Sequence, residues 1–445
     1  MTEGNIFNHI VAFSIPLLLG NLFQMLYNTV DTWVVGRFVS DEAFSAVGTL
    51  SSVTNLMISF FFGLAGGAGV VISQYFGAGN RDKVRKATHT AIAMTLALGV
   101  VFTIIGILTV PLMLDILDMP AEVESEARTY LLVWFSGISG LMVYNIGSGI
   151  MRAVGDSTRP FTYLVISTLT NTVLDLVFVL GFKMGTAGVA VATVVSQFIS
   201  AILVMISLSR TESAVKISYR EVRFDFPILS KIVKIGIPTA LQMSITSFSN
   251  IFVQSYINAF GTAGMGGWTA YVKIDQVANL PMQSLGIAST TIVGQNLGKG
   301  YVDRAKKSAN TAFVMCFMGT LILIIPVVIF APWLVSFFNN NAEIIEYGTL
   351  YIRLLTPFYL VWTVNAIYAG ALRGAGRSTS TMIIMLSSFV AFRQIYLFVI
   401  SQIANTPVAI SLSYPFGWII ASVASFAYYK KVGLTPKAKK RTVVD

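Results

Sequence analysis

With one cysteine, Cys316, in 445 residues the chain can form no internal disulfide, and its two histidines, His9 and His89, match no metal-binding Cys/His spacing. Charge is equally scarce. Asp, Glu, Lys and Arg make up 11% of the chain, where a soluble domain carries roughly 25%. The glycine-rich stretch 63–69 lacks the strand and the Gly-Lys-Ser/Thr of a phosphate loop, and reads instead as close helix packing. No segment is long or soluble enough for a nucleotide domain, so an ATP-driven pump is not expected, and nothing points to an enzyme or a cofactor. The N-terminus has neither a basic leader nor a small-residue cleavage site, and its first apolar run is too long and too polar for a signal peptide. Cys316 reads as a small buried hydrophobe.

Apolar runs fill the space that charge leaves. Hydrophobic residues make up 55% of the chain, and a membrane span needs about 20 of them in succession. Spans fall near 10–35, 50–75, 89–113, 129–151, 159–181, 186–208, 233–257, 266–291, 308–331, 348–371, 379–402 and 407–429. Of the 30 Lys and Arg, 24 lie in alternate loops and the tail, beginning with Arg81, Lys83, Arg85 and Lys86 and ending with Lys437, Lys439, Lys440 and Arg441. The intervening loops carry Asp41, Glu42, Asp115, Asp118, Glu122, Glu124, Glu126, Glu343 and Glu346. The positive-inside rule then puts both termini in the cytoplasm of a multi-pass protein of the plasma (inner) membrane. The net charge of +10 reflects topology and contact with anionic membrane lipid, not nucleic-acid binding.

The chain also repeats itself. Gln74, Gly77, Gly79 and Asp82 return 221 residues later as Gln295, Gly298, Gly300 and Asp303. Tyr130, Arg152, Gly155, Ser157 and Thr158 return at the same shift as Tyr351, Arg373, Gly376, Ser378 and Thr379. The expected fold is all-α integral membrane, with twelve transmembrane helices in two parallel-repeat six-helix bundles. The expected divisions are a first bundle at 1–208, a cytoplasmic linker at 209–232, a second bundle at 233–429 and a basic tail at 430–445. Duplicated membrane halves of this kind point to a transporter, and because one chain holds both halves, a monomer suffices.

Ionisable residues inside spans are costly and mark function. Asn21, Gln24, Asn28 and Asp31 follow one another at helical spacing and form a stripe along span 1. Asn171 and Asp175 share a face of span 5, and Thr193 lies in span 6. Two carboxylates, an amide oxygen and a hydroxyl suit a small hard cation such as Na+, and a carboxylate alone can take a proton. Arg37 and Lys183 sit at the outer ends of their helices, leaving both acids without a basic partner. The repeat places Val253, Phe392 and Tyr396 at the matching positions of the second half, so the cation chemistry belongs to the first. Span 7 offers Gln242, Thr246, Ser249 and Asn250, and span 8 carries Lys273, Asp275, Gln276, Asn279 and Gln283. Arg393 in span 11 is the candidate partner of Asp275; the group is either a structural ion network or part of a substrate path.

Asn28-Thr29-Val30-Asp31-Thr32, Val293-Gly294-Gln295-Asn296-Leu297-Gly298, Arg152-Ala153-Val154-Gly155-Asp156 with its echo Arg373-Gly374-Ala375-Gly376-Arg377, and the Asn171–Asp175 pair resemble the multidrug and toxic compound extrusion (MATE) transporters over almost the whole chain. The resemblance implies a V-shaped pair of six-helix bundles that exports organic cations in exchange for Na+ or H+. It implies a coupling ion on Asp31, Asn171, Asp175 and Thr193. The polar residues of spans 1, 7 and 8, namely Asn21, Gln24, Asn28, Gln242, Thr246, Asn250, Asp275, Gln276 and Gln283, are the candidates for a substrate cavity. Another branch of the family uses carboxylates in spans 7 and 10, which here contain none. The alternatives are a flippase for lipid-linked oligosaccharide or peptidoglycan precursors, which needs a basic cavity, and a non-transporting receptor or scaffold.

Overall fold

The structure, a computed structural model, describes residues 1–434, and of Thr32, Asp41, Glu42, Phe44, Ser45 and Ser52 it describes the backbone alone. Lys437, Lys439, Lys440 and Arg441 of the expected basic tail therefore lie outside the described residues.

Long apolar helices follow one another with short turns, and no strand occurs among the described residues. The first half holds α1 (Ile6–Phe38), α2 (Asp41–Gly77), α3 (Arg81–Ile116), α4 (Ala121–Ser136), α5 (Ile138–Ala153), α6 (Thr158–Leu176) and α7 (Gly185–Arg210). The second holds α8 (Phe226–Asn258), α9 (Gly261–Gly298), α10 (Val302–Ile329), α11 (Ala331–Ser336), α12 (Ala342–Leu355), α13 (Tyr359–Gly374), α14 (Ser378–Leu386), α15 (Arg393–Ile403), α16 (Pro407–Ser411) and α17 (Ser413–Val432). Among the described residues ten stretches are long and apolar enough to cross a membrane, and the bent pair α4–α5 makes an eleventh. The twelfth expected span falls on α9, whose 38 residues include Lys273, Asp275, Gln276, Asn279 and Gln283. Several helices start well before the expected spans, α3 at Arg81 and α8 at Phe226 among them, because their first turns lie outside the most apolar stretch.

The duplication is visible in the breaks. Gly137 separates α4 from α5 with a bend of 47°. A Cβ there would lie 2.4 Å from the Val194 side chain of α7, so the break is also a tight crossing. At the matching position of the second half, Thr356–Phe358 forms a 3-10 turn containing Pro357, which cannot supply a helical N–H. The repeated glycine motifs are helix-ending turns. Gly79 and Gly300 take φ of 68° and 83°, and the next N–H closes each helix, Asn80 N to Tyr75 O at 3.1 Å and Tyr301 N to Asn296 O at 2.8 Å. Only glycine takes that left-handed turn freely.

The chain packs as two compact units whose edges do not follow the 208/233 boundary. The N-unit comprises Ala12–Ile72 and Arg81–Phe248; the C-unit comprises Met1–Val11, Ser73–Asn80 and Ser249 onward. In the N-unit, Val34, Leu50, Leu131, Phe135, Ile138 and Val189 share one buried cluster. In the C-unit, Ile10, Met282, Cys316 and Trp418 form one cluster, and Trp268, Tyr351 and Leu397 another. Cys316 is a free, fully buried thiol. Within the N-unit α2 and α8 nearly touch: a Cβ on Gly63 would sit 2.5 Å from Ala240 Cα, and one on Gly67 2.3 Å from Gly236 Cα. The glycine-rich stretch is thus a packing surface.

Helix α8 starts at Phe226, so the linker is 211–225, with one 3-10 turn at Tyr219–Glu221, and is shorter than the 209–232 expected from hydropathy. It is docked on α3. His89 Nδ1 donates to Arg85 O at 2.7 Å while Nε2 accepts from Ser218 N at 3.0 Å, and Arg85 pairs with Glu221 at 2.5 Å.

Candidate functional site

The helical spacing of α1 puts Asp31 one turn beyond Tyr27, facing α6 and α7 inside the N-unit. Asp31, Asn171, Asp175 and Thr193 are all buried. The Asn171 carboxamide, with its NH2 turned to the acids, donates to Asp31 Oδ1 at 2.7 Å and to Asp175 Oδ2 at 3.2 Å. The Thr193 hydroxyl donates to Asp31 Oδ2 at 3.4 Å. One amide therefore holds two carboxyls together, and the four residues read from three separate spans form one cluster. Asp175 Oδ1 is buried with no hydrogen-bond partner among the described residues. Among the described residues neither acid has a salt bridge; Arg37 and Lys183 are exposed. The helix widens into a π turn, Val177–Gly181, immediately after Asp175. Such turns recur at functional sites.

Sequence reasoning passed over two residues here. Tyr27 and Tyr130 are buried beside the acids, and the Tyr27 hydroxyl faces Thr193 and Asp31 without completing a hydrogen bond. Tyr27 precedes Asp31 by four residues, a spacing that was there to be read. Tyr130 carried only the signal of its repeat partner, Tyr351.

The remaining candidates scatter. Asn21 is partly buried and Gln24 and Asn28 are exposed along the α1 stripe. Gln242 is buried, with Oε1 lacking a partner among the described residues, whereas Thr246 turns back to its own helix and donates to Gln242 O at 2.7 Å. Gln276 and Gln283 are exposed on α9. The expected Asp275–Arg393 pair does not form. Arg393 donates to Ser249 Oγ at 2.7 Å and Asn250 Oδ1 at 2.9 Å, and its guanidinium lies 4.9 Å from the centre of the Tyr414 ring. Asp275 is instead held by Tyr359, Tyr271 at 3.4 Å and Asn279 at 2.8 Å. Neutral partners lie within reach of each side chain, acceptors for the Arg393 guanidinium and donors for Asp275 Oδ1, so neither extends to the other. At the counterpart of the acid pair, Val253 is fully buried and the rings of Phe392 and Tyr396 stack at 6.1 Å.

The chain as a whole is similar to known proteins. The chain is 27% identical over 435 residues to a probable multidrug resistance protein, YpnP, of Bacillus subtilis, covering 96% of each chain. It is 26% identical over 442 residues to a second from the same organism, YoeA, covering 97% of this chain and 95% of the other. A solved structure described as the outward-facing conformation of a multidrug resistance MATE family transporter has the same fold, with a TM-score of 0.90 at 23% identity over 97% of this chain and 96% of that one. The MatE family model matches twice, over residues 16–177 and 238–399, one match for each half of the duplication. The apolar helices, the internal repeat and these matches agree: the chain is a membrane transporter, not an enzyme, and belongs to the MatE family.

Proposed function

We propose that this chain is a secondary antiporter that exports lipophilic organic cations in exchange for Na+ or H+ by alternating access, from the plasma membrane and with both termini in the cytoplasm. The observation that carries the reading is the buried pair Asp31 and Asp175, joined by one amide and lacking any basic partner among the described residues. Two like charges sharing a low-dielectric site repel, so the pair takes up a cation or a proton. Asn171 supplies the means. With its NH2 inward the amide donates to both carboxylates; a half-turn about its last torsion presents an oxygen instead. Oxygens of Asp31, Asp175, Asn171 and Thr193 then form a hard-ligand set for Na+, while a proton needs only the carboxyls. Ion and drug each weaken the other's binding, as reciprocal coupling requires.

The names of the two Bacillus relatives support drug-like small molecules as cargo. The competing flippase reading needs basic groups for a pyrophosphate, and the acidic pair in the N-unit weighs against it. Proteoliposomes loaded with ethidium test the proposal under separate Na+ and pH gradients. Wild type should move dye under one gradient and Asp31→Asn, which keeps the shape and removes the charge, under neither. Wild type inert to both gradients, or a variant equal to wild type, ends the reading.

A further inference from the structure

Asp275 has no role in the ion chemistry above. It lies in the middle of α9, the one expected span that its polar residues leave less apolar than the others. Asn279 donates to its Oδ1 at 2.8 Å, Tyr271 to the same oxygen at 3.4 Å, and Tyr359 also to that oxygen. Among the described residues nothing donates to Oδ2, and neither Lys273 nor Arg393 pairs with the carboxylate.

The two tyrosines are the ends of a belt. Tyr271 touches Trp268 at 5.0 Å between ring centres, Trp268 touches Tyr414 at 5.5 Å, Tyr414 touches Trp418 at 5.9 Å, and Trp418 touches Tyr359 at 5.5 Å. Five aromatic rings thus run from one donor of Asp275 Oδ1 round to another, with the carboxylate closing the loop. The belt already accepts one cation on a face, the Arg393 guanidinium over Tyr414. Asp275 itself is partly exposed, and Asn279 and Gln283 continue along α9 one and two turns on, the first partly exposed and the second exposed. A polar stripe at membrane depth has to face water or a polar partner, since lipid satisfies none of its hydrogen bonds. A carboxylate with one saturated oxygen, one open oxygen and no basic partner is uncompensated charge in a low-dielectric surround. Aromatic faces beside it favour a soft, weakly hydrated cation over a small, strongly hydrated one.

We propose that Asp275 Oδ2 and this aromatic belt, within the C-unit, bind the cationic nitrogen of the exported organic monocation. The inference rests on the export reading and deepens it: the coupling ion uses one unit's carboxyls and the cargo the other's.

Fluorescence anisotropy of ethidium on the purified full-length protein in nanodiscs tests it. Asp275→Asn should weaken binding by at least about tenfold, the loss expected when a desolvated charge partner is removed. Tyr414→Leu, which opens the belt and leaves the carboxylate in place, should weaken it by about threefold or more. The second variant carries the test should the first not fold, as judged by its elution and melting. Ethidium affinity unchanged in the folded variants overturns the inference and leaves the export reading standing. So does a loss confined to Na+-dependent stabilisation, which would give Asp275 to the inorganic ion. A wild type that neither binds nor transports ethidium ends both.

Discussion

At the scale of single residues, the N-unit site depends on one neutral side chain as much as on its acids. Asn171 bridges Asp31 and Asp175 at 2.7 and 3.2 Å, and its removal leaves two buried carboxyls facing each other without a shared donor. Hydrogen bonds to charged groups contribute about 1.5–3 kcal/mol. Asn171→Ala, which removes the amide without adding volume, should therefore lower the apparent affinity for the coupling ion by about 10–100-fold. The concentration dependence of efflux on the driving ion measures this; an unshifted half-saturation point would remove Asn171 from the site. Asp31, Asn171, Asp175 and Thr193 were legible in the sequence because a polar group in an apolar run stands out. Tyr27 and Tyr130 were not, since a tyrosine in a span looks like packing until its hydroxyl is placed. Arg393 shows the opposite failure. Complementary charge suggested Asp275, yet hydroxyl, amide and ring partners lay closer to each group.

At the scale of elements, the repeated Gln-x-x-Gly motif is a reciprocal helix crossing. A Cβ on Gly77 would fall 1.9 Å from Gln295 O, and a Cβ on Gly298 1.9 Å from Gln74 O. Each glycine of one copy thus lies against the glutamine of the other. Both obstacles are backbone atoms, which have no rotamer to change. Gly298→Ala should cost more than the typical overpacking penalty of about 1–3 kcal/mol and abolish folded protein. Gly66→Ala, where nothing lies within 4 Å, should be tolerated. Elution profiles and melting temperatures of the two variants decide this, and a Gly298→Ala protein that melts with wild type contradicts the crossing. The repeat itself was plain in the sequence, but its physical reason was not. Periodicity shows that a motif recurs without showing which helix presses on it.

At the scale of the whole molecule, the distribution of basic residues makes a topological prediction that Cys316 renders simple to test. That single cysteine is fully buried, so an introduced thiol is the only accessible one among the described residues. Glu212→Cys in the 211–225 segment and Asn340→Cys between α11 and α12 place exposed thiols at opposite ends of the spans. In intact cells a membrane-impermeant maleimide should label Asn340→Cys and spare Glu212→Cys; the reverse pattern would invert the orientation. The sequence alone determined the helical class, the duplication and the placing of the ionisable residues, because lipid forces apolar helices of a given length and makes buried charge conspicuous. It located the linker only approximately, since hydropathy is blind to the amphipathic turn that starts α8 at Phe226. Tertiary structure decided what no local pattern encodes: that the start of α1, the end of α2 and most of α8 belong to the unit built mainly from the other half of the repeat, that one amide joins Asp31 to Asp175, and that Asp275 closes a ring of aromatics. Those outcomes depend on which surfaces meet between residues hundreds of positions apart, and packing, not periodicity, selects them.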